Sequence, residues 1–320
     1  MQDSRTITIV SAADSRYFHL LHGLVCSLKA GPLARDIPLS ILDLGLSDQE
    51  RRWLEGHGAT IAVPEWEFDF PGRDYIPNYF KALAARPSLR RYFPGYEVYL
   101  WLDGDTWVQD DSVLPVFFDS ARRGHLAIVP EIDRGYWTIH KRPRLWGQNQ
   151  KCFAWAFGVR AGYRYGRHPI LNAGVFALHR DAPHWDLWAT AVRRVMTRRR
   201  WSRPSKVWNF YYALGEQTAL NYVVFGDGAP ASLLPAYCNW FCGKGTPAYD
   251  RVRRMLVEPE PPYRPLGILH LAGEGMKDRI WTLKTLDGGE VGTSLSYEAV
   301  SALAGSSPAQ ALPRGIAVSA

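Results

Sequence analysis

Eleven residues constrain this chain more than any others: Val98-Tyr99-Leu100-Trp101-Leu102-Asp103-Gly104-Asp105-Thr106-Trp107-Val108, an apolar run that ends in two carboxylates separated by one glycine. Apolar residues at consecutive positions suit a strand covered on both faces, as in the parallel sheets of α/β domains. Open sheets of this kind bind ligands just beyond the carboxyl ends of their strands. Two carboxylates this close repel each other in a cleft unless a cation lies between them. Oxygen ligands favour a hard divalent ion such as Mg²⁺ or Mn²⁺, and the obvious use of that ion is to hold a diphosphate. Asp-x-Asp is also a common solvated turn, so the spacing draws its weight from the rest of the chain.

The flanking pattern is βαβ. Thr6–Val10 reads as a strand, and Leu20, Leu21, Leu24, Val25 and Leu28 form the stripe of a helix over Phe18–Lys29. Pro38–Leu44 is a second strand, Ser47 caps a helix through Glu55, and Thr60–Val63 is a third strand. A helix over Asn78–Tyr92 leads into the central strand, and Leu126–Pro130 follows as another strand. From Glu131 to Ile170 no period is visible, which marks a functional loop or lid. Leu171–Leu178 reads as strand, a helix starts near Pro183, Glu216–Phe225 is helical, and Ile268–Leu271 is a short strand. The expectation is a single α/β domain over 1–300, a mostly parallel sheet flanked by helices, with an Ala/Ser/Pro-rich disordered tail over 301–320.

With 320 residues, 47% hydrophobic and 22% charged, the chain is long enough for one large core. Its 13 Trp suit packing as well as sugar stacking. The net charge of +7 is matched by Arg193–Lys206, which holds six Arg and one Lys with no acid. That run is either solvated or a contact for anionic lipid or an acidic partner; without a nucleic-acid module, DNA and RNA are the weaker partners. Cys26, Cys152, Cys238 and Cys242 show no disulfide framework and no paired zinc spacing, so free thiols in a reducing compartment are expected. The reading is of a cytoplasmic protein, without a signal-peptide pattern or a membrane-crossing run.

Polar residues at the strand ends converge on one sheet edge: Asp14 and Tyr17 after the first strand, Asp103 and Asp105 after the fourth, Asn172 on a later one, His270 with Lys277 on the last. Five pieces in this order are Ala12-Ala13-Asp14-x-x-Tyr17, Asp103-Gly104-Asp105, Asn172-Ala173-Gly174-Val175, Glu216-Gln217-x-x-Leu220-Asn221, and His270-x-x-Gly273 followed by Lys277 and Trp281. Over roughly Thr6–Trp281 the chain resembles the retaining glycosyltransferases of family eight, which have the GT-A fold and include bacterial lipooligosaccharide galactosyltransferases and glycogenin. The resemblance implies a nucleotide-sugar donor, UDP-linked, and a carbohydrate, glycolipid or other hydroxyl acceptor. It implies that Tyr17 stacks on uracil while Asp14 accepts from its N3–H, although an Asp here also caps helices. Asp103, Asp105 and His270 would bind Mn²⁺ or Mg²⁺, Lys277 would face the diphosphate, and Gly273 would let backbone approach it. Asn172 and Gln217 would lie beside the donor sugar. Glu216 would be an alternative nucleophile or a ligand of a donor hydroxyl, unless it is only an acid in a helix first turn.

Four positions depart from the family pattern. Thr218 stands where an acid is usual after the Gln, one residue is inserted between Gly273 and Lys277, Asp278 replaces a proline, and Lys81 stands for an arginine before the central strand. The 131–170 segment mixes Arg134, Arg142, Arg144, Arg160, Arg164 and Arg167 with Tyr136, Trp137, Trp146, Trp155 and Tyr163, suited to an acceptor site or to a lid. Two other readings compete. A non-catalytic binder of the same fold need not keep the acidic pair, and a nucleotidyltransferase would carry a Gly- and basic-rich loop where Ala12-Ala13-Asp14 stands.

Overall fold

The computed structural model describes residues 6–70, 73–137, 144–197, 206–273 and 275–305. Residues 198–205 of the basic run, 306–320 of the expected tail, and Arg142 lie outside the described residues. The strands in chain order are β1 (Ile7–Ala13), β2 (Leu39–Asp43), β3 (Ala59–Ala62), β4 (Val98–Leu102), β5 (Thr106–Val108), β6 (Leu126–Pro130), β7 (Leu171–His179) and β8 (Ala231–Leu233). Seven of them form the central sheet in the order β3-β2-β1-β4-β7-β6-β8. All neighbours are parallel except at β7, which runs against both β4 and β6. This is the mostly parallel α/β sheet expected from the sequence.

Strand β4 is covered on both sides because its side chains alternate between two apolar layers. Val98, Leu100 and Leu102 join Leu21, Leu24, Leu54 and Phe117 from α1 (Phe18–Ala30), α2 (Asp48–Gly56) and α5 (Leu114–Arg122). Tyr99 and Trp101 point the other way, to Phe176, Trp185, Trp188 and Val192. Burying such side chains contributes on the order of 2–3 kcal/mol each. Helix α2 starts as expected at Ser47, whose hydroxyl accepts from Glu50 N–H while the Glu50 carboxylate accepts from Ser47 N–H.

Three local expectations need correction. The helix over 78–92 is broken into α3 (Phe80–Ala85) and α4 (Leu89–Tyr92) by a 3₁₀ turn at Arg86–Ser88, because Pro87 has no N–H to continue the ladder. The 131–170 segment is not irregular: it contains α6 (Arg144–Phe157) and α7 (Val159–Tyr165), separated at Gly158 with φ +101°. Its glycines have low helix propensity and hide both helices from periodicity. At Gly162 a Cβ would lie 2.8 Å from Ala154 Cβ and from Gln150 carbonyl oxygen, so the missing side chain lets α7 pack on α6. Further on, α8 (His184–Met196) and α9 (Lys206–Phe225) complete the helical layer over Tyr99 and Trp101. Finally, the start of the expected disordered tail is helical, since α10 (Tyr297–Leu303) buries Val300.

A second, three-stranded sheet positions part of the site. In it β12 (Ile268–His270) lies between β5, to which it is antiparallel, and β9 (Trp240–Phe241), to which it is parallel. Trp107, Trp240, Phe241, Leu269 and Trp281 form its core. Trp101, Trp185, Trp188 and Trp240 are fully buried, so packing accounts for these tryptophans. All four cysteines are buried and free.

Candidate active site

The reversal at β7 brings its first residues to the edge where β4 ends. Leu102 pairs with Val175, and the Asp103 N–H donates to Gly174 carbonyl oxygen at 2.8 Å. Strand β12 ends at the same place and delivers His270, paired with Thr106 of β5. One ligand atom from each of Asp103, Asp105 and His270 lies within 4.8 Å of the other two. His270 Nε2 is 3.3 Å from Asp105 Oδ1 and 3.8 Å from Asp103 Oδ2.

The opposite atom of each ligand residue is held from behind. Asp103 Oδ1 accepts from Arg86 and from Trp101 Nε1, Asp105 Oδ2 pairs with Lys277 Nζ at 3.2 Å, and His270 Nδ1 is 3.1 Å from Asn239 Oδ1. Asn239 is fully buried and its carbonyl oxygen can only accept, so Nδ1–H donates to it and the ring is fixed with Nε2 toward the carboxylates. Two carboxylate oxygens and an imidazole nitrogen facing one point suit Mn²⁺. Burial works against the charge on Asp105, but His270 and Lys277 outweigh it and hold this carboxylate well below its usual range. Gly174 admits no side chain: a Cβ there would collide with the His270 ring and lie 2.6 Å from Asp103 Oδ2.

Arg86 is one of the residues that sequence reasoning missed. Its guanidinium joins Asp103 to Glu216, whose Oε2 lies 2.9 Å from Nη1, and it lies 4.7 Å from the centre of the Trp101 ring. Arg86 stands five residues after Lys81, and no described contact ties Lys81 to the site. The signal was Pro87, which stops α3 and fixes the turn that carries Arg86. Glu216 is not in a helix first turn: it lies in the middle of α9 and is buried. Burial pushes its carboxyl up to about 7, with Asp103 adding to the effect and Arg86 opposing it. Its Oε1 has no hydrogen-bond partner among the described residues.

A pocket of about 380 Å³ runs from this point along the end of β1 and is lined by Asp14, Tyr17, Tyr79, Arg86, Trp101, Asp105 and Lys277. Tyr17 is 44% exposed, and Lys277 Nζ lies 4.1 Å from the centre of its ring. Asp14 caps the short helix after β1: Oδ1 accepts from Tyr17 N–H at 3.3 Å and Oδ2 accepts from Arg16 at 2.7 Å. Gly273, with φ +116°, lies in the left-handed region on the loop that leads to Lys277. Trp281 opens a β-hairpin and is core rather than cleft.

On the other side of the triad, Gln217 Oε1 accepts from Asn172 Nδ2 at 3.1 Å and from Ala173 N–H at 3.0 Å. Asn172 in turn accepts from Gly174 N–H and Asn239, and donates to Glu131, which is paired with Lys244. A cavity of about 420 Å³ opens beyond this network, lined by Glu131, Lys244, Trp137, Phe241, Gly273 and Met276 among others. Thr218 borders it, with its hydroxyl turned back to Leu214 carbonyl oxygen. The Cys152 thiol on its wall is pushed by burial up to about 12 and stays protonated.

No protein-family model and no curated protein matches the chain. Solved structures do. A crystal structure of the galactosyltransferase LgtC in complex with donor and acceptor sugar analogs superposes with a TM-score of 0.53 and 18% identity, covering 96% of this chain and 98% of that one. A structure of an active-site mutant of LgtC gives a TM-score of 0.51 at 18% identity, covering 93% and 95%. At this identity the likeness shows a shared fold across nearly the whole of both chains.

Proposed function

We propose that the protein is a metal-dependent glycosyltransferase that moves a hexose from a nucleotide-sugar, UDP-linked, to an acceptor hydroxyl with retention. The convergence of Asp103, Asp105 and His270 between two pockets carries this reading. In it the 380 Å³ pocket takes the nucleoside, with Tyr17 stacked on the base and Asp14 accepting from it. Asp103, Asp105 and His270 hold the cation, which when bound neutralises the diphosphate and stabilises it as leaving group. Lys277 adds a point charge from the Tyr17 side, and closing its loop over the diphosphate excludes water.

The sugar then lies over Asn172 and Gln217. Because Gln217 Oε1 already accepts two hydrogen bonds, its amide N–H groups face the sugar, and it acts by positioning rather than as a nucleophile. Glu216 is tied to Arg86 and near half-protonation at neutral pH, which suits a hydrogen bond to a donor hydroxyl and not attack on the anomeric carbon. Front-face transfer within an ion pair is the route this reading takes, as the family resemblance implies. The acceptor enters the 420 Å³ cavity, where Trp137 and Phe241 offer aromatic faces and the Glu131–Lys244 pair offers hydrogen bonds.

The test is release of nucleoside diphosphate from a panel of UDP- and GDP-sugars with Mn²⁺, in wild type and Asp105→Asn. Metal-dependent release from one donor, lost in the variant, supports the reading and names the sugar. No release together with no thermal shift by UDP and Mn²⁺ would sink it.

A further inference from the structure

The net charge of +7 hides a strong asymmetry. Residues 134–215 hold 16 of the 38 Lys and Arg but 2 of the 31 Asp and Glu, leaving 22 basic against 29 acidic residues elsewhere. That segment carries +14 and the remainder −7. Residues of α6, α8 and α9 join the apolar layer over one face of the central sheet, and α7 packs on α6; Lys151, Arg160, Arg164, Arg167, Arg193 and Arg194 are described basic residues on or beside these helices.

The outer face of α6 and α7 shows what this charge is suited to. Lys151, Arg160, Arg164 and Arg167 are exposed and have no acidic partner among the described residues. Between them Val159 is 68% and Tyr163 73% exposed. Several arginines elsewhere have acidic partners, as in Arg91–Glu67, Arg134–Glu258 and Arg251–Asp287. Val252, 93% exposed beside Arg251 and Arg253, differs in that both of those arginines have acidic partners. Cations that meet lipid headgroups, with apolar side chains able to enter the acyl boundary, explain both features together. The opposite wall of α6 contributes Gln148, Asn149 and Cys152 to the 420 Å³ cavity, so this face is one helix away from the proposed acceptor entrance.

We propose that the α6–α7 face, centred on Val159, Arg160, Tyr163, Arg164 and Arg167, docks the protein on an anionic phospholipid surface. This goes beyond the transfer reaction and is tested without any donor or acceptor. The full chain is sedimented with vesicles of neutral phosphatidylcholine and with vesicles containing about a third phosphatidylglycerol. Partition is expected on the anionic vesicles only, weakened by salt. Arg160→Glu with Arg164→Glu and Arg167→Glu is expected to lower it roughly 100-fold, at about a tenfold loss or less per charge. Val159→Ser with Tyr163→Ser, which keeps every charge, is expected to lower it several-fold, and Arg251→Glu with Arg253→Glu on the acidic remainder to leave it unchanged. Unfolding midpoints of the variants show that the fold is retained, and the Val159/Tyr163 pair decides if the triple variant does not fold. Absence of binding to anionic vesicles, or equal binding by the triple variant, overturns the proposal. So does displacement by soluble heparin with no effect of the Val159/Tyr163 change, which would make the face a site for soluble polyanions.

Discussion

The two sides of the triad differ in how much of their polar chemistry is settled by the protein itself. On the Tyr17 side Asp103, Asp105, Arg86, Lys277 and Asp14 each hold a protein partner, and the charges are arranged as a chain from Glu216 to Tyr17. On the other side the 420 Å³ cavity has a mainly apolar wall with the Glu131–Lys244 pair set in it. The first is rigid because strand ends and a buried hydrogen-bond network fix it. The second is bounded by α6, α9 and loops, away from the strand ends. A fixed charge array beside an adaptable cavity suits one constant ligand and one variable one.

Four measurements would break or sharpen that contrast. Asp105→Asn removes a cation ligand and the partner of Lys277, and should lower metal-dependent diphosphate release on the order of 10³-fold, read by coupled assay. Glu216→Gln tests the other end of the charge chain through stability. The Glu216 pKa is raised, from an ordinary 4.5 to about 7, so its contribution is fully present below about 4.5 and is lost as pH rises through about 7. Metal-free wild type should therefore lose up to about 3 kcal/mol relative to Glu216→Gln across that window in urea unfolding. A flat difference with pH would mean that Arg86 keeps Glu216 ionised throughout. Asn239→Leu should weaken Mn²⁺ binding about 10- to 100-fold by calorimetry, since it frees the His270 ring. Trp137→Ala, on the cavity side, should raise the acceptor KM a few-fold and leave Mn²⁺ affinity alone; equal effects on both would mean that the two sides are not separable.

The same contrast decides what was legible beforehand. The Tyr17 side is written in short local motifs at strand ends, so Asp14, Tyr17, Asp103, Asp105, His270 and Lys277 were found by reading along the chain and do meet in space. Arg86 was missed because its role depends on a break at Pro87 inside what looks like one helix. Asn239 was missed because a buried amide on a loop has no pattern; only its contacts with His270 and Asn172 give it meaning. The cavity side was least legible. Glycines at 147, 158, 162 and 166 mask α6 and α7, and the Glu131–Lys244 pair joins residues 113 positions apart.

Gly174 sets a limit on how this molecule can change over evolutionary time. Its carbonyl oxygen accepts from Asp103, its N–H donates to Asn172, and the space beside its Cα belongs to His270. A side chain at 174 would press at once on the His270 ring, on Asp103 and on Asn172, so one substitution there disturbs three neighbours together. Variants that alter donor or acceptor choice should accumulate around it, at Thr218, Glu131, Trp137 and Lys244, with this position left fixed.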